Sequence, residues 1–521
     1  RLDQLSGGLF LDEAYNGLDA IAIRELGARP LFLDWNSGRE ALVAYFDAFS
    51  TMLFGYTTFS IRAVTALAGV LTMAAFYLFL RRLFHRNIAL LSLFLLAVSK
   101  YAIVYNRFGL RINLMLLFET AAMAFLAWGM TSENKRYTPF LLGGAFAGLG
   151  FHSYIPYRVF PAAFLGFLAD KRVRGNFRRQ AAPLAAGAVV CSLIAIPLLW
   201  FFVHNPASFS NRMERTAIWS KQKEPIPFLL ARSARDTLGM FTFRSDPNPR
   251  HNVQAEPALS PFSTAFFLLG GILLLSNLRR PLGLFLLLYF VVTVLPGILG
   301  AAAPHASRNL GALPPALLLA ALGIAAALRI VKQTCVSCTG PFLAVVLGAT
   351  MLTGINDALF RHAADLDAQG PADTALWGMD RTETDIANYV NTFGDHYPIY
   401  LTPQLYFHAT IEYLTYGRSK HQLYTEETAF PKDRISLVVL QTTSRNLWWM
   451  RDDDTKKFYH WWNQYYGLET RYIRSQILKA YVSYPSMTRQ SDRRVFRALR
   501  EKYPSGRALQ FDQFTVFLIR P

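Results

Sequence analysis

The sequence predicts a mainly α-helical, polytopic membrane protein. It has a transmembrane helix bundle, interfacial helices in its first outer loop and a small C-terminal α/β domain. Three observations carry the prediction. Ten apolar runs long enough to approach the thickness of a bilayer lie between residues 60 and 358. Lys and Arg gather in every second loop between those runs, as orientation in a bilayer requires. After about residue 359 the chain turns densely charged, with short β-like runs.

The apolar runs are roughly 60–80, 87–105, 110–130, 138–153, 156–170, 181–203, 261–277, 281–300, 311–330 and 341–358. The fourth and fifth are short enough to form a re-entrant hairpin instead, which leaves the sidedness of everything downstream unchanged. The basic loops are marked by Arg81, Arg82 and Arg86, by Lys135 and Arg136, by the run Lys171 to Arg179, by Arg279 and Arg280, and by Arg329 and Lys332. These loops are assigned to the cytoplasm. Residues 1–59, the loop 204–260 and everything after about 359 then lie outside it. The chain opens at Arg1 on the outside, so a further helix upstream is expected.

Composition agrees. The 521 residues are 52% hydrophobic and 17% charged. The mean hydropathy of +0.21 is high for a soluble protein and low for a pure bundle, as an appended polar domain would make it. A net charge of +18 would point to nucleic acid in a soluble protein. Here many of the cations sit in short loops between spans, and no nucleic-acid partner is expected. Of three cysteines, Cys191 falls inside a span as a packing residue. Cys335 and Cys338 form a lone CxxC, half of a zinc site, and imply no disulfide framework.

Within the C-terminal part, Ile435 to Leu440 and Phe514 to Ile519 read as strands, and Asp385–Phe393 and Thr455–Tyr466 as helices. In the first loop, residues 12–26 and 38–54 carry apolar residues at helical spacing and would lie along the interface as amphipathic helices. They would present Asp12, Glu13 and Glu40 toward a cavity between loop and bundle. An adjacent Asp12-Glu13 pair suits acid–base chemistry on a lipid-borne substrate; it equally suits a helix N-terminus.

Four arginines run against the topogenic bias on the outer side: Arg107 and Arg111 in Tyr105 to Asn113, Arg158 in His152 to Arg158, and Arg308 in Pro304 to Asn309. Single ones would snorkel to the headgroups. Four near one face suit bidentate binding of a phosphate. The outer run Asp246-Pro-Asn-Pro-Arg-His-Asn252 is a turn-rich loop whose Arg250, His251 and Asn252 suit phosphate and hydroxyl contacts. Glu119 falls deep in a span and is assigned no chemistry. Trp448, Trp449, Trp461 and Trp462 would stack on sugars or fill a domain core.

These residues resemble the GT-C membrane glycosyltransferases, and among them the bacterial protein O-mannosyltransferase and aminoarabinose-transferase group (glycosyltransferase family 39-like). The resemblance rests on Leu11-Asp-Glu-Ala-Tyr, Gly38-Arg-Glu, Asn106 to Arg111, Tyr154-Ile-Pro-Tyr-Arg158, Asp246 to Asn252 and His305-Ala-Ser-Arg308. Trp448-Trp-Met-Arg-Asp452 departs from the Trp-Trp-Asp motif of oligosaccharyltransferases, because Asp does not follow the tryptophan pair directly. The resemblance implies an inner (plasma) membrane enzyme, working on the extracytoplasmic side, that moves a sugar from a polyprenyl-phosphate donor to a protein, lipid or glycan acceptor. It gives Asp12 the role of base on the acceptor hydroxyl. Glu13 or Glu40 would position the acceptor or join Asp12 at a divalent metal. Arg107, Arg111, Arg158 and Arg308 would hold the donor phosphate, with Tyr154, Arg250, His251, Asn252 and His305 as further contacts. The rival reading is a lipid-linked-sugar flippase or other transporter, which would want ionisable groups along the bundle interior. Only Glu119 lies there.

Overall fold

The structure, a computed structural model, describes residues 8–33, 38–169, 171–210, 217–221, 224–248, 250–364, 381–406, 408–424, 427–441, 491–511 and 514–520. The predicted helix at 455–466 and the four tryptophans lie outside the described residues.

Every apolar run becomes helical, but the expected count of about ten spans is not reproduced. Among the described residues, six helices are long and apolar enough to cross a membrane, or seven if one bent pair is a single span. In chain order the bundle comprises α3 (Thr58–Leu83), α4 (Arg86–Ala97), α5 (Lys100–Asn106), α6 (Ile112–Thr131), α7 (Thr138–Gly150), a 3-10 stretch (Ile155–Ala169), α8 (Lys171–His204), α9 (Ile226–Gly239), α10 (Pro261–Ser276), α11 (Pro281–Ile298), α12 (Leu313–Thr334) and α13 (Thr339–Asn356). α4 and α5 form the bent pair, at 57°. α7 and α10 are too short to qualify. Pro156 and Pro161 lie in the 3-10 stretch, where each removes a backbone donor and disfavours a regular α-helical ladder.

Local chemistry sets the ends. Thr57 caps α3, its hydroxyl accepting from the Ser60 N–H at 3.2 Å, while the Ser60 hydroxyl accepts from the Thr57 N–H at 3.3 Å. Arg81 and Arg82 close the last turn, where cations suit the helix dipole. α6 and α12 are the central helices and bury most of their side chains. α8 instead exposes Val189, Leu193, Ile196 and Leu199, as a lipid-facing helix would. α10 and α12 touch through glycines: a Cβ on Gly270 would stand 1.9 Å from the Leu319 carbonyl oxygen. In the turn before α13, Cys335 and Cys338 are 5.3 Å apart at Cα and form a single local disulfide, where the sequence alone offered a lone CxxC with no second pair to complete a zinc site.

In the first loop, α1 (Leu11–Glu25) precedes a two-residue ladder, β1 (Phe32–Leu33) against β2 (Arg39–Glu40), and then α2 (Leu42–Phe54). α2 is amphipathic as expected, burying Val43, Ala44 and Ala48 and exposing Phe49, Met52 and Leu53. α1 is not an interfacial helix. Every residue from Glu13 to Ile23 is buried, because a second layer covers the face turned away from the bundle.

That layer is the C-terminal domain. α14 (Arg381–Phe393) and α15 (Ala409–Thr415) accompany a five-stranded mixed sheet of β3 (Ile399–Leu401), β4 (Gln422–Leu423), β5 (Ser436–Gln441), β6 (Arg507–Gln510) and β7 (Phe514–Ile519), in the order β4-β3-β5-β7-β6. The alternating pattern of β5 and β7 assigns their faces. Leu437, Val439 and Val516 join a core with Leu18 and Ile21 of α1, Ile386 of α14 and Ile411 of α15. Val438, Leu440 and Phe517 point the other way, onto Val495 and Leu499. The domain therefore shares its core with the first loop. Leu9 is held at both backbone groups: its N–H donates to Thr384 Oγ1 at 2.9 Å and its carbonyl accepts from Thr410 Oγ1 at 3.3 Å.

Candidate active site

The sequence places two acids side by side at the start of α1, and helix geometry separates them. Glu13 is the third residue of the helix, and its carboxylate folds back to accept from the Phe10 N–H at 2.9 Å. It also accepts from Gly109 N–H at 2.7 Å and forms an ion pair with Arg62 at 2.8 Å. Both partners of that pair are fully buried. Asp12, half-buried, turns instead to a cavity of about 460 Å³ between α1 and the bundle.

The predicted cations converge on the same cavity. Arg111, Arg158, Arg250 and Arg308 line it together with Tyr154, His251 and His305. Each arrives from a different element: Arg111 from the N-terminus of α6, Arg158 from the 3-10 stretch, Arg250 from the Asp246–Asn252 loop and Arg308 from the 3-10 turn before α12. Aromatic faces orient three of them. Arg111 lies over Tyr154 at 5.4 Å, Arg158 over Phe209 at 4.7 Å and Arg250 over Phe10 at 4.0 Å. The remaining wall is apolar, with Phe108, Ile112, Ile155, Pro156, Val159 and Leu299. A chamber with one carboxylate, several guanidinium groups and an apolar side suits an anionic headgroup that carries a hydrocarbon chain.

Four predicted site residues do not line the cavity. Glu13 is committed as described. Glu40 is fully buried on β2 and accepts from Arg158 Nη2 at 3.3 Å, which steadies that guanidinium. Arg107 donates to the Ala358 carbonyl at 2.8 Å. Asn252 ties its own loop together, donating to the Asp246 and Glu256 carbonyls at 3.1 and 2.8 Å. With Glu13 and Glu40 consumed this way, neither joins Asp12 at the chamber. Among the described residues no three His, Cys, Asp or Glu side chains converge as metal ligands. The acids present therefore do not fit a divalent metal.

Sequence reasoning missed several residues. Asn16, one helical turn after Asp12, lines the cavity and donates to the Gly109 carbonyl at 2.9 Å. Its Oδ1 accepts from Arg39 at 2.5 Å, and Arg39 also pairs with Asp19. Asp246 organises the opposite wall. Its carboxylate accepts from the N–H groups of Asn248 at 2.9 Å and Ala306 at 2.8 Å, and meets His251 Nδ1 at 3.2 Å. Burial pushes this carboxyl up, yet the His251 hydrogen bond, the nearby His251 and His305 rings and the Asn248 N–H outweigh it and hold it at about 2. The only signal in sequence was the Asp-Pro-Asn turn itself.

The helix bundle thus encloses a polar chamber, roofed by a first-loop helix and a mixed sheet domain. Comparison with known proteins gives one family match and several matches of fold. Residues 41–201 match the model of the dolichyl-phosphate-mannose-protein mannosyltransferase family. The chain shares the fold of ArnT from Cupriavidus metallidurans, solved bound to undecaprenyl phosphate: TM-score 0.55, 12% identity, covering 99% of this chain and 95% of that one. The apo structure of the same protein aligns at TM-score 0.49 and 14% identity, over 98% and 94% of the two chains. An oligosaccharyltransferase from Archaeoglobus fulgidus, in complex with Zn and sulfate, aligns at TM-score 0.46 and 14% identity, over 78% and 58%. No curated protein matches by sequence. The family match covers residues 41–201, and the similarity to ArnT is one of fold over the whole chain.

Proposed function

We propose that the protein transfers a sugar from a polyprenyl-phosphate donor to a hydroxyl on a protein, lipid or glycan acceptor, at the extracytoplasmic face of the plasma membrane. The observation that carries this reading is the gathering of Asp12 with Arg111, Arg158, Arg250 and Arg308 around one chamber that also has an apolar wall. The guanidinium groups would hold the phosphate and take up the charge that develops as it leaves. The apolar wall would receive the first isoprene units. Asp12 would take the proton from the acceptor hydroxyl as its oxygen attacks the anomeric carbon. Because this is a single displacement, the sugar arrives inverted. Undecaprenyl phosphate in the similar ArnT, and the mannosyl lipid named for the matching family, support a donor of this kind.

The test is direct. Protein purified in mild detergent is extracted and its lipids are identified by mass spectrometry, then supplied with dolichyl-phosphate mannose and a radiolabelled sugar readout. A co-purifying polyprenyl phosphate or sugar conjugate, and label transfer to an acceptor, are expected. Movement of the intact lipid-linked sugar across a vesicle membrane without transfer would contradict the reading in favour of a flippase.

A further inference from the structure

The cavity wall opposite Asp12 holds a second ordered polar unit. His251 Nδ1 faces Asp246 Oδ2 at 3.2 Å, and its Nε2 faces Ser307 Oγ at 3.4 Å. Ser307 in turn meets the Tyr105 hydroxyl at 3.0 Å, and the Tyr105 ring stacks on His251 with centroids 5.4 Å apart. His251 and Ser307 both line the cavity, while Asp246 stands behind them. An ionised carboxylate only accepts, so Nδ1 carries a proton in either charge state of the ring. Nε2 is left to exchange a proton with Ser307.

We propose that Asp246, His251 and Ser307 form a proton relay that acts as general acid toward the leaving phosphate, the counterpart of Asp12 on the acceptor side. The inference rests on the proposed sugar transfer. As the bond between the anomeric carbon and the phosphate oxygen breaks, its electron pair stays on that oxygen. The Ser307 hydroxyl proton moves to this oxygen, and Ser307 takes the proton from His251 Nε2. The acceptor proton is meanwhile on Asp12, and solvent exchange restores both groups after release. His251 and Ser307 are the catalytic residues here, and Asp246 is a positioning residue. Held at about 2, Asp246 stays ionised at any working pH and supports the imidazolium charge.

The choice of His251 over its neighbour follows from geometry. His305 Nδ1 lies at 3.9 Å from the same Asp246 oxygen, against 3.2 Å for His251. Other charged or titratable groups also bear on the ring: Tyr105 from α5, His305 and Arg308 from the turn before α12, and Arg250 from its own loop. Across the chamber stand Arg111 and Asp12.

The experiment measures the affinity of purified protein for a short-chain polyprenyl phosphate, the reaction product, between pH 5.5 and 9. Wild type, His251→Gln, Asp246→Asn and Ser307→Ala are compared. The wild type is expected to lose about tenfold more affinity across this range than His251→Gln, the value of one charge-assisted hydrogen bond. Asp246→Asn, which removes the partner of Nδ1, and Ser307→Ala, which removes the partner of Nε2, should each reduce that loss. In transfer assays with dolichyl-phosphate mannose, His251→Gln should lower kcat about 100-fold or more with little change in donor KM. A His251→Gln protein that keeps the wild-type pH response overturns the relay. Absence of polyprenyl phosphate binding at every pH in the wild type overturns the underlying transferase reading instead.

Discussion

Between Gly8 and Arg62, three buried acidic side chains are consumed by their neighbours. Glu13 pairs with Arg62, Asp19 with Arg39, and Glu40 receives Arg158. In the Asp246–Asn252 loop and the turn before α12 the arrangement is reversed: the Asp246 carboxylate is spent on orienting backbone N–H groups and two imidazoles, and the cations beside it line the chamber. The first region uses buried ion pairs as structure and presents one acid, Asp12. The second uses hydrogen bonds as structure and presents a basic wall. Adjacent charges in a sequence can thus have opposite purposes, decided by which of them reaches a partner.

The comparison breaks most visibly at Glu13. Glu13→Ala should strand the fully buried Arg62 and cost about 3–5 kcal/mol, seen as a large drop in thermal midpoint in detergent. Unchanged stability would show that the pair is not structural. On the opposite wall, Arg308→Ala should leave the fold intact and raise donor KM by roughly 10–100-fold, the value of a charge-assisted contact to phosphate. An unchanged KM removes Arg308 from the donor site.

Two smaller effects depend on pH. Asp246 is held at about 2 against an ordinary 3.8, so the stability it supplies is present above about pH 4 and is lost as pH falls toward 2. Trp219 fluorescence beside the cavity should report that loss in the wild type and not in Asp246→Asn. Asp47 in α2 runs the other way. Burial first, then Asp19 and Glu13, push its carboxyl well above 3.8, against the pull of Arg39, and neither oxygen has a hydrogen-bond partner. Its contribution is full below about pH 4 and is lost as pH rises. Asp47→Asn should therefore be more stable than wild type at pH 8, with the gap closing toward pH 4. An equal gap at both values would show that Asp47 is not the titrating group.

Much of this was legible in the chain because membrane insertion writes itself into composition. Apolar runs and basic loops located the helices, and three of the four arginines that run against the charge bias, Arg111, Arg158 and Arg308, line the cavity. What escaped was decided by tertiary partners. The third helical position gives Glu13 a local partner in the Phe10 N–H, and the Gly109 N–H and Arg62, 96 and 49 residues away in sequence, complete the claim on it and leave Asp12 at the chamber. The burial of α1 also depends on distant residues, since Tyr413 packs so closely that a Cβ on Gly17 would stand 2.5 Å from its ring. The count of about ten spans is not reproduced because hydropathy does not register helix length or regularity: two apolar runs form helices of under 18 residues, and a third, holding Pro156 and Pro161, forms a 3-10 stretch.

The central claim is that Asp12 is the base, and Asp12→Asn tests it most directly. The variant keeps shape and removes the proton acceptor, so the account predicts a loss of sugar transfer of about 100-fold or more with polyprenyl phosphate affinity and thermal midpoint near those of the wild type. Transfer at the wild-type rate by a folded, donor-binding Asp12→Asn protein would contradict it.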